Sequence, residues 1–410
     1  MTDAATLLPE DEARAQVLAL ATPLSSEWVA VDEGLGRTLA EDIVAQRTLP
    51  PWDNSAMDGY AVRAADLAGP LPVRLPVLET IYAGAAPHHE VRPGTCSRIM
   101  TGAPLPVGAD AVVMRERARA VPDGGADRVD LTEAVEAGHF VRPRGEDARE
   151  GEVLLARGTP LGIPELGLLW AQGLGAIAVP RRPRVAILST GDELCRADEP
   201  PRGRIVDTNA PSLALAVRRA GGTPSLLGIA RDTRDAVAEA LGRAEGFDVV
   251  LTSAGVSVGE RDYVKEVLAA LGVQQHLWRV AIKPGKPLVV GQRGGTLFFG
   301  LPGNPTSSLV TFELFVRPAL RRMLGHVDVA PPRVTGRLDG RLTKPPGLAH
   351  FVRVTAAWRE GGLWAKPLAT QTSGALRSAA AATHLLRFPR DASSLAHGDL
   401  VELLPLSWVA

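Results

Sequence analysis

Between Pro183 and Gly325 the chain alternates between short β-branched runs and segments of helical period. Strands are predicted at 184–188, 224–228, 248–251, 276–280, 287–291 and 296–300, and helices at 210–220, 233–244, 261–271 and 305–323. Runs that are apolar on both faces must be covered on both faces, and helices between strands supply the cover. The pattern predicts a doubly wound α/β domain, whose ligands lie beyond the carboxyl ends of its strands. The polar clusters fall at those ends. Ser189-Thr190-Gly191-Asp192-Glu193 follows the first strand and Arg231-Asp232 the second. Lys283-Pro284-Gly285-Lys286 lies between the fourth and fifth, and residues 300–308 follow the sixth. Polar loops scattered at random would also occupy the amino ends. The one-sided distribution marks this edge as the site.

The stretch after the third strand is the most loaded. Val249 to Leu251 reads as a buried strand. Gly255 and Gly259 permit tight turns and close approach to a ligand. Val264, Val267, Leu268 and Leu271 keep helical spacing. Strand, Gly/Ser loop and helix N-terminus together point backbone N–H groups at an anion. Glu260, Asp262 and Lys265 add side chains suited to a cation and a phosphate. The same composition also suits a solvated loop, and the stretch alone matches no nucleotide fingerprint. Basic residues sharpen the reading. The chain has 45 Lys and Arg, but only Lys265, Lys283, Lys286, Lys344 and Lys366 are lysines. Three of these five lie between 265 and 286, far more than even scattering would place there. A compact ammonium is not interchangeable with a guanidinium fork, so the cluster suggests a small-anion contact.

A chain of 410 residues is too long for one core and predicts two to four domains. Its net charge of −1 excludes nucleic-acid binding by bulk electrostatics. Two cysteines, Cys96 and Cys195, without a C-x-x-C pair support neither a disulfide framework nor a zinc ribbon. No apolar run reaches membrane-spanning length and the first residues carry no signal pattern, so a soluble cytoplasmic protein is expected. Residues 10–21 read as an amphipathic helix, and Thr38 to Val44 as a second. Residues 49–63 form an irregular segment dense in Pro, Asp, Asn and Ser. Residues 71–142 read as a small β module, closed by Gly145-Glu146-Asp147. Val153 to Leu155 and Pro164 to Gln172 return to strand and helix, and residues 330–410 form a second β module.

Seven motifs stand in register: D-N-S-A-M-D-G-Y-A at 53–61, M-T-G-A-P-L-P at 100–106, G-E-D at 145–147, S-T-G-D-E-L at 189–194, S-A-G-V-S-V-G-E-R-D-Y at 253–263, I-K-P-G-K-P at 282–287 and G-L-P-G-N-P at 300–305. In this order the sequence closely resembles the molybdopterin molybdenumtransferase family, which includes the E domain of gephyrin. Arg279 stands where the family often has Lys, and Ala254 where it often has Gly. The resemblance implies a multidomain α/β subunit. Residues 1–50 and 140–180 would form an elongated dimerisation segment, 51–139 a β-rich insertion, 181–328 the molybdopterin-binding α/β domain and 329–410 a C-terminal β-barrel-like module. It implies a homodimer, with each pocket completed by the other subunit. It further implies transient contacts with the molybdopterin adenylyltransferase and with cofactor acceptors. The implied reaction converts adenylylated molybdopterin and molybdate to molybdenum cofactor and AMP with Mg²⁺.

On this resemblance Lys283, Lys286, Ser307, Arg353 and Ser373 would surround molybdate. Glu193, Asp232 and Asp262 would hold the metal and take part in catalysis with Lys283. Asp58, Thr101 and Asp147 would border the pocket, and Ser257, Gly255 and Arg279 would contact substrate. Simpler roles stand beside these: helix capping for Asp232 and Asp262, turn chemistry for Asp58, Thr101 and Asp147, and, for Arg353 and Ser373, a polar residue on the outside of a β module. Two other classes fit parts of the pattern. One is a nucleotide enzyme such as the molybdopterin adenylyltransferase, against which the β modules and the 53–61 motif argue. The other is a non-enzymatic scaffold, against which the set of acids and lysines argues.

Overall fold

The alternating central stretch folds into a six-stranded sheet, ordered Thr223–Ala230, Arg184–Thr190, Val249–Ser253, Thr296–Leu301, Pro287–Arg293, Gln274–Arg279. The computed structural model describes residues 7–123, 126–200, 202–255 and 263–408. The first four strands run parallel. The last two are antiparallel, so the winding ends in an antiparallel edge. Val249–Ser253 has a partner on each side and all five of its residues are buried. Its side chains alternate between two cores. Val249 and Leu251 pack with Val185, Ile187, Phe299 and Phe312 on one face. Val250 packs with Leu188, Val264, Leu268 and Phe298 on the other. Each such side chain contributes roughly 1.5–3 kcal/mol by burial. That is why a continuous apolar run, rather than an alternating one, fills this position.

The predicted helices form at Asn209–Arg219, Arg234–Gly242, Tyr263–Ala270 and Pro305–Thr311, the last continuing through a π turn at Phe312–Val316 into Arg317–Met323. The helix expected over Thr38 to Val44 is absent. Thr38 bridges Pro160, while Ile43 and Val44 pair with Leu155 and Val153. β-branched side chains fit an extended ladder better than a helix, and here cross-strand partners are at hand.

The C-terminal β module closes on itself. Ala349–Arg359 pairs with both Gly362–Pro367 and His384–Phe388, and the ring returns through Val334–Leu338 and Leu400–Pro405. Leu338, Val354, Ala365, Leu386, Phe388 and Leu403 fill it. One further strand joins from outside: Ile282–Lys283 lies parallel to Ala349 and His350. Lys283 was expected in a loop. It sits instead on a two-residue strand of the C-terminal sheet. The first helix, Glu10–Leu20, is fastened to the same module by charge. Glu10 is 3% exposed and meets Arg14 at 2.9 Å, Arg387 at 2.9 Å and Arg333 at 3.5 Å. Burial works against the neighbouring Asp11 carboxylate, but Arg14 and Arg333 together hold its pKa below the usual value.

These parts form one compact unit, residues 1–41, 157–166 and 175–410. The second unit is residues 42–156 and 167–174. It carries its own six-stranded sheet, ordered Ala111–Met114, Gly59–Val62, Cys96–Ile99, Val73–Ile81, Ala126–Leu131, Ala118–Asp123. One face buries Tyr60, Val62, Leu75 and Val113, the other Ala61, Ile81, Ile99 and Val112.

The turn that leaves the central strand is unusual. Ala254 has φ +77°, a left-handed conformation, while its N–H donates to the Leu301 carbonyl at 3.1 Å. Gly255 follows at φ +72°. Ala254 stands where the resembling family often has Gly, and the backbone keeps the glycine geometry. A β-branched residue there is expected to cost about 1–3 kcal/mol. Ala254→Val should therefore lower the melting temperature clearly and Ala254→Gly should not; equal melting of the two variants would contradict the left-handed turn.

Candidate active site

Three parallel strands, Arg184–Thr190, Val249–Ser253 and Thr296–Leu301, end side by side, and a cavity of about 650 Å³ opens there. Glu193, Asp207, Asn209, Ser253, Gly255 and Asn304 are in its wall. A Cβ on Gly255 would stand 2.4 Å from Val264 Cγ2, so the turn lies directly against the following helix. Asn209 ties two strand ends together: its Nδ2 donates to Ser253 Oγ at 2.7 Å and to the Gly303 carbonyl at 2.6 Å. Asp207 Oδ1 accepts from the amides of Asn209 and Ala210 at 3.0 and 3.2 Å and so starts the helix. Among the described residues the buried hydroxyls of Ser189, Thr190, Thr252 and Ser308 have no hydrogen-bond partner. Unsatisfied buried hydroxyls are uncommon, and these lie behind the cavity wall rather than in it.

The acids lie on two adjacent loops. Asp192 and Asp232 bond reciprocally, each accepting from the other's amide at 3.3 Å. The helix Arg234–Gly242 is capped by Thr233, whose hydroxyl accepts from Ala236 N at 3.3 Å. Asp232 is thus not that helix's cap. The Glu193 carboxylate lies where a Cβ on Gly191 would stand, within 2.6–2.8 Å of it. Asp262 and Ser257 lie outside the described residues. Among the described residues no three metal-ligating side chains converge. Glu193 and Asp232 still offer hard oxygen donors at one sheet edge. Mg²⁺ is commonly held by one or two carboxylates with the remaining positions left to substrate phosphate and water, so this donor set fits it.

A second cleft, about 870 Å³, adjoins the first; Pro287 lies in the wall of both. Lys283, Lys286, Ser307, Ser373, Lys344 and His350 line it. The turn carrying the first two lysines is pressed against the helix: Gly285 has φ +105°, and a Cβ there would strike Thr311 Cγ2 at 2.5 Å. Ser307 is 4% exposed at the start of that helix. Its neighbour Thr306 grips the Ser373 carbonyl through its amide, at 3.0 Å, and through its hydroxyl. Two of the predicted anion ligands are thereby brought together by one backbone tie.

Arg353 is neither a surface residue nor part of the cleft wall. It is 2% exposed. Its Nε donates to Ser378 Oγ at 3.0 Å, and its Nη2 to the carbonyls of Thr370 and Thr372 at 3.1 and 3.0 Å. Gln371 closes the arrangement by accepting from Arg353 N and donating to its carbonyl. Arg353 therefore positions the 370–373 segment that carries Ser373. Arg279 ends the strand Gln274–Arg279 opposite Pro287 and does not line the cleft.

Asp58, Thr101 and Asp147 belong to the second unit. Asp58 Oδ1 accepts from both the amide and the hydroxyl of Thr101, each at 2.7 Å. These bonds hold the exposed Asp58 carboxyl below its usual pKa. Asp147 is exposed, and its amide donates to the Leu49 carbonyl at 3.0 Å. Sequence reasoning passed over Asp207 and Asn209. Their signal is the run Asp207-Thr208-Asn209-Ala210-Pro211, in which two Asx residues and a proline mark a helix start.

The chain matches three family descriptions in succession. These are the MoeA N-terminal region (domain I and II) over residues 8–173, a probable molybdopterin binding domain over 186–322 and the MoeA C-terminal region (domain IV) over 335–406. It is 36% identical to the molybdopterin molybdenumtransferase of Bacillus subtilis, covering 98% of this chain and 95% of that one. It is 38% identical to molybdopterin molybdenumtransferase 2 of Mycobacterium tuberculosis over 92% of this chain and 95% of the relative. The crystal structure of the molybdopterin biosynthesis moeA protein from Pyrococcus horikoshii OT3 superposes with a TM-score of 0.84 at 31% identity, covering 98% of this chain and all of that one. Matched along its length in sequence and in fold, the chain belongs to the molybdopterin molybdenumtransferase family.

Proposed function

We propose that this protein inserts molybdate into adenylylated molybdopterin, releasing AMP and forming molybdenum cofactor. The observation that carries the reading is the pair of adjoining cavities at the carboxyl edge of the sheet. One is lined by Ser253, Asn209, Asn304, Glu193 and Asp207, and the other by lysines and serines. The first suits a polar substrate bearing a phosphate anhydride. The second suits a small tetrahedral dianion.

The roles follow from the side-chain chemistry. Lys283 and Lys286 bring ammonium charge to the oxyanion, and Ser307 and Ser373 supply hydroxyls. Arg353 fixes the segment carrying Ser373. Asn209 fixes the strand ends against which the larger substrate lies. Glu193 and Asp232, with Asp262, would hold Mg²⁺, which when bound supplies charge neutralisation to the phosphate anhydride. Asp192 and Asp232 tie their two loops together through their reciprocal bonds to each other's amides. The reading extends to a homodimer, whose mass in solution would be twice the 43.2 kDa of one chain; a single-chain mass by light scattering would remove that part of it. Passing contacts with the molybdopterin adenylyltransferase and with cofactor acceptors, in the cytoplasm, complete the proposal. Among the described residues no helix is long and apolar enough to cross a membrane.

Incubation with adenylylated molybdopterin, molybdate and Mg²⁺, followed for AMP release and for reconstitution of an apo-molybdoenzyme, tests the whole reading. Lys283→Ala removes one charge-assisted contact, which should cost on the order of 1.5–3 kcal/mol. Half-saturation by molybdate should rise about 10- to 100-fold. An unchanged molybdate dependence in a folded variant would sink the anion assignment. For the metal, Asp232→Asn keeps size while Thr233 continues to cap the helix. Mg²⁺-dependent AMP release should vanish with little change in melting temperature. Activity that survives at normal Mg²⁺ would show that Asp232 is structural.

A further inference from the structure

We propose that Lys344, on the far wall of the lysine cleft, is a third ammonium of the anion site, so that a tetrahedral oxyanion is held between Lys344 and the turn carrying Lys283 and Lys286. The proposal rests on the reading of the cleft given above and extends it to a residue outside the seven motifs.

The geometry is a row across three neighbouring strands. Lys283 is the register partner of His350, and His350 is the register partner of Phe388. Register partners present their side chains on the same face of a sheet, and strands lie about 4.8 Å apart. All three residues line the cleft. Lys344 completes the row by standing over the Phe388 ring, its Nζ 4.8 Å from the centroid. The same Nζ donates to the Arg390 carbonyl at 3.0 Å, so the ammonium is held in place rather than waving in solvent.

Charge makes the position telling. Lys344 is 7% exposed, yet its hydrogen-bond acceptors are carbonyls. Among the described residues no carboxylate lies within ion-pair distance of Lys283, Lys286 or Lys344, whereas Arg14, Arg181, Arg333 and Arg387 all meet acids. Burial lowers the Lys344 pKa, and the Asp391 carboxylate acts against it. A buried ammonium that meets no carboxylate at ion-pair distance is unfavourable, and a methionine would fill the same space without that penalty. An anion in the cleft supplies the missing partner. His350 reads the field of the cleft: burial, then Lys283 and Lys344, lower its pKa to about 4. Those lysines and the uncharged Phe388 are the groups that face it. A dianion among them reverses the field and must raise that pKa.

The test is binding of molybdate alone, and separately of AMP, to the full chain by calorimetry. Wild type, Lys283→Gln, Lys344→Met and Lys344→Gln are compared, with melting temperatures recorded alongside. The expected result is a loss of molybdate affinity of about tenfold in Lys344→Met and Lys344→Gln, comparable with Lys283→Gln and with AMP binding preserved. In wild type, NMR titration of His350 should move upward when molybdate is added. If Lys283→Gln weakens molybdate and the folded Lys344 variants do not, Lys344 only props the Arg390 carbonyl and this inference fails while the anion site stands. If Lys283→Gln also leaves molybdate binding intact, the anion site itself is wrong. A loss confined to AMP, or a His350 titration that ignores molybdate, would overturn the proposal even if the variants fold poorly.

Discussion

Two residues of backbone pairing hold the functional edge together. Ile282 and Lys283 leave the α/β sheet and run parallel to Ala349 and His350 of the closed C-terminal module. The link is continued on either side, with Ala281 accepting from the Ala349 amide and Ala281 itself donating to Leu8. Without this pairing the turn at 284–286 would be an ordinary connection between two antiparallel strands. With it, the lysine turn becomes a wall shared by two modules. The Thr306 grip on Ser373 makes a second attachment from the helix side. The cleft lies between these two ties.

The protein treats its charges in two ways. Around Glu10, three arginines converge on one buried carboxylate, and the network locks the first helix to the C-terminal module. Such a network is satisfied internally and has nothing left for a ligand. Around Lys283 the lysines meet no carboxylate at ion-pair distance among the described residues. The first arrangement is architecture and the second is what the proposed anion site requires, and what separates them is the presence of a carboxylate partner. Among the described residues lining the cleft the basic side chains with permanent charge are lysines, which fits the same distinction. A guanidinium fork finds planar partners within the protein, as Arg353 does, while a compact ammonium remains a point charge for a small ion.

Much of the fold was legible because its signals are periodic. The apolar run at Val249–Leu251 can only be a covered strand, and the polar clusters after successive strands point to one edge. Features without periodicity were not legible. A two-residue strand carries no pattern, so the membership of Lys283 in the C-terminal sheet could not be read. Thr38 to Val44 has residues that tolerate either state, and partners distant in sequence, Pro160 and Val153 to Leu155, decide it. Arg353 could be read as a molybdate contact by resemblance or as a surface residue, and nothing in Phe351-Val352-Arg353 announces that its donors will meet the carbonyls of 370 and 372. Lys344 stood alone in the sequence and gained significance only when folding laid it beside His350 and Phe388. The motifs at 189–194, 282–287 and 300–305 were readable as a set, but which atoms they bring together is a property of the sheet and not of the motifs.

The Thr306–Ser373 tie has a thermodynamic corollary. Ser307 and Ser373 line one cleft while the Ser373 carbonyl is held by Thr306 on the helix that begins at Pro305. Unseating that module and dissolving the cleft are therefore a single event, with one opening free energy. By reciprocity, whatever binds in the cleft must tighten the seating of the module by the same amount that the seating contributes to binding. The small barrel at the end of the chain is thus more than an appendage that lends residues to a pocket. Its attachment is a variable that the ligand itself sets.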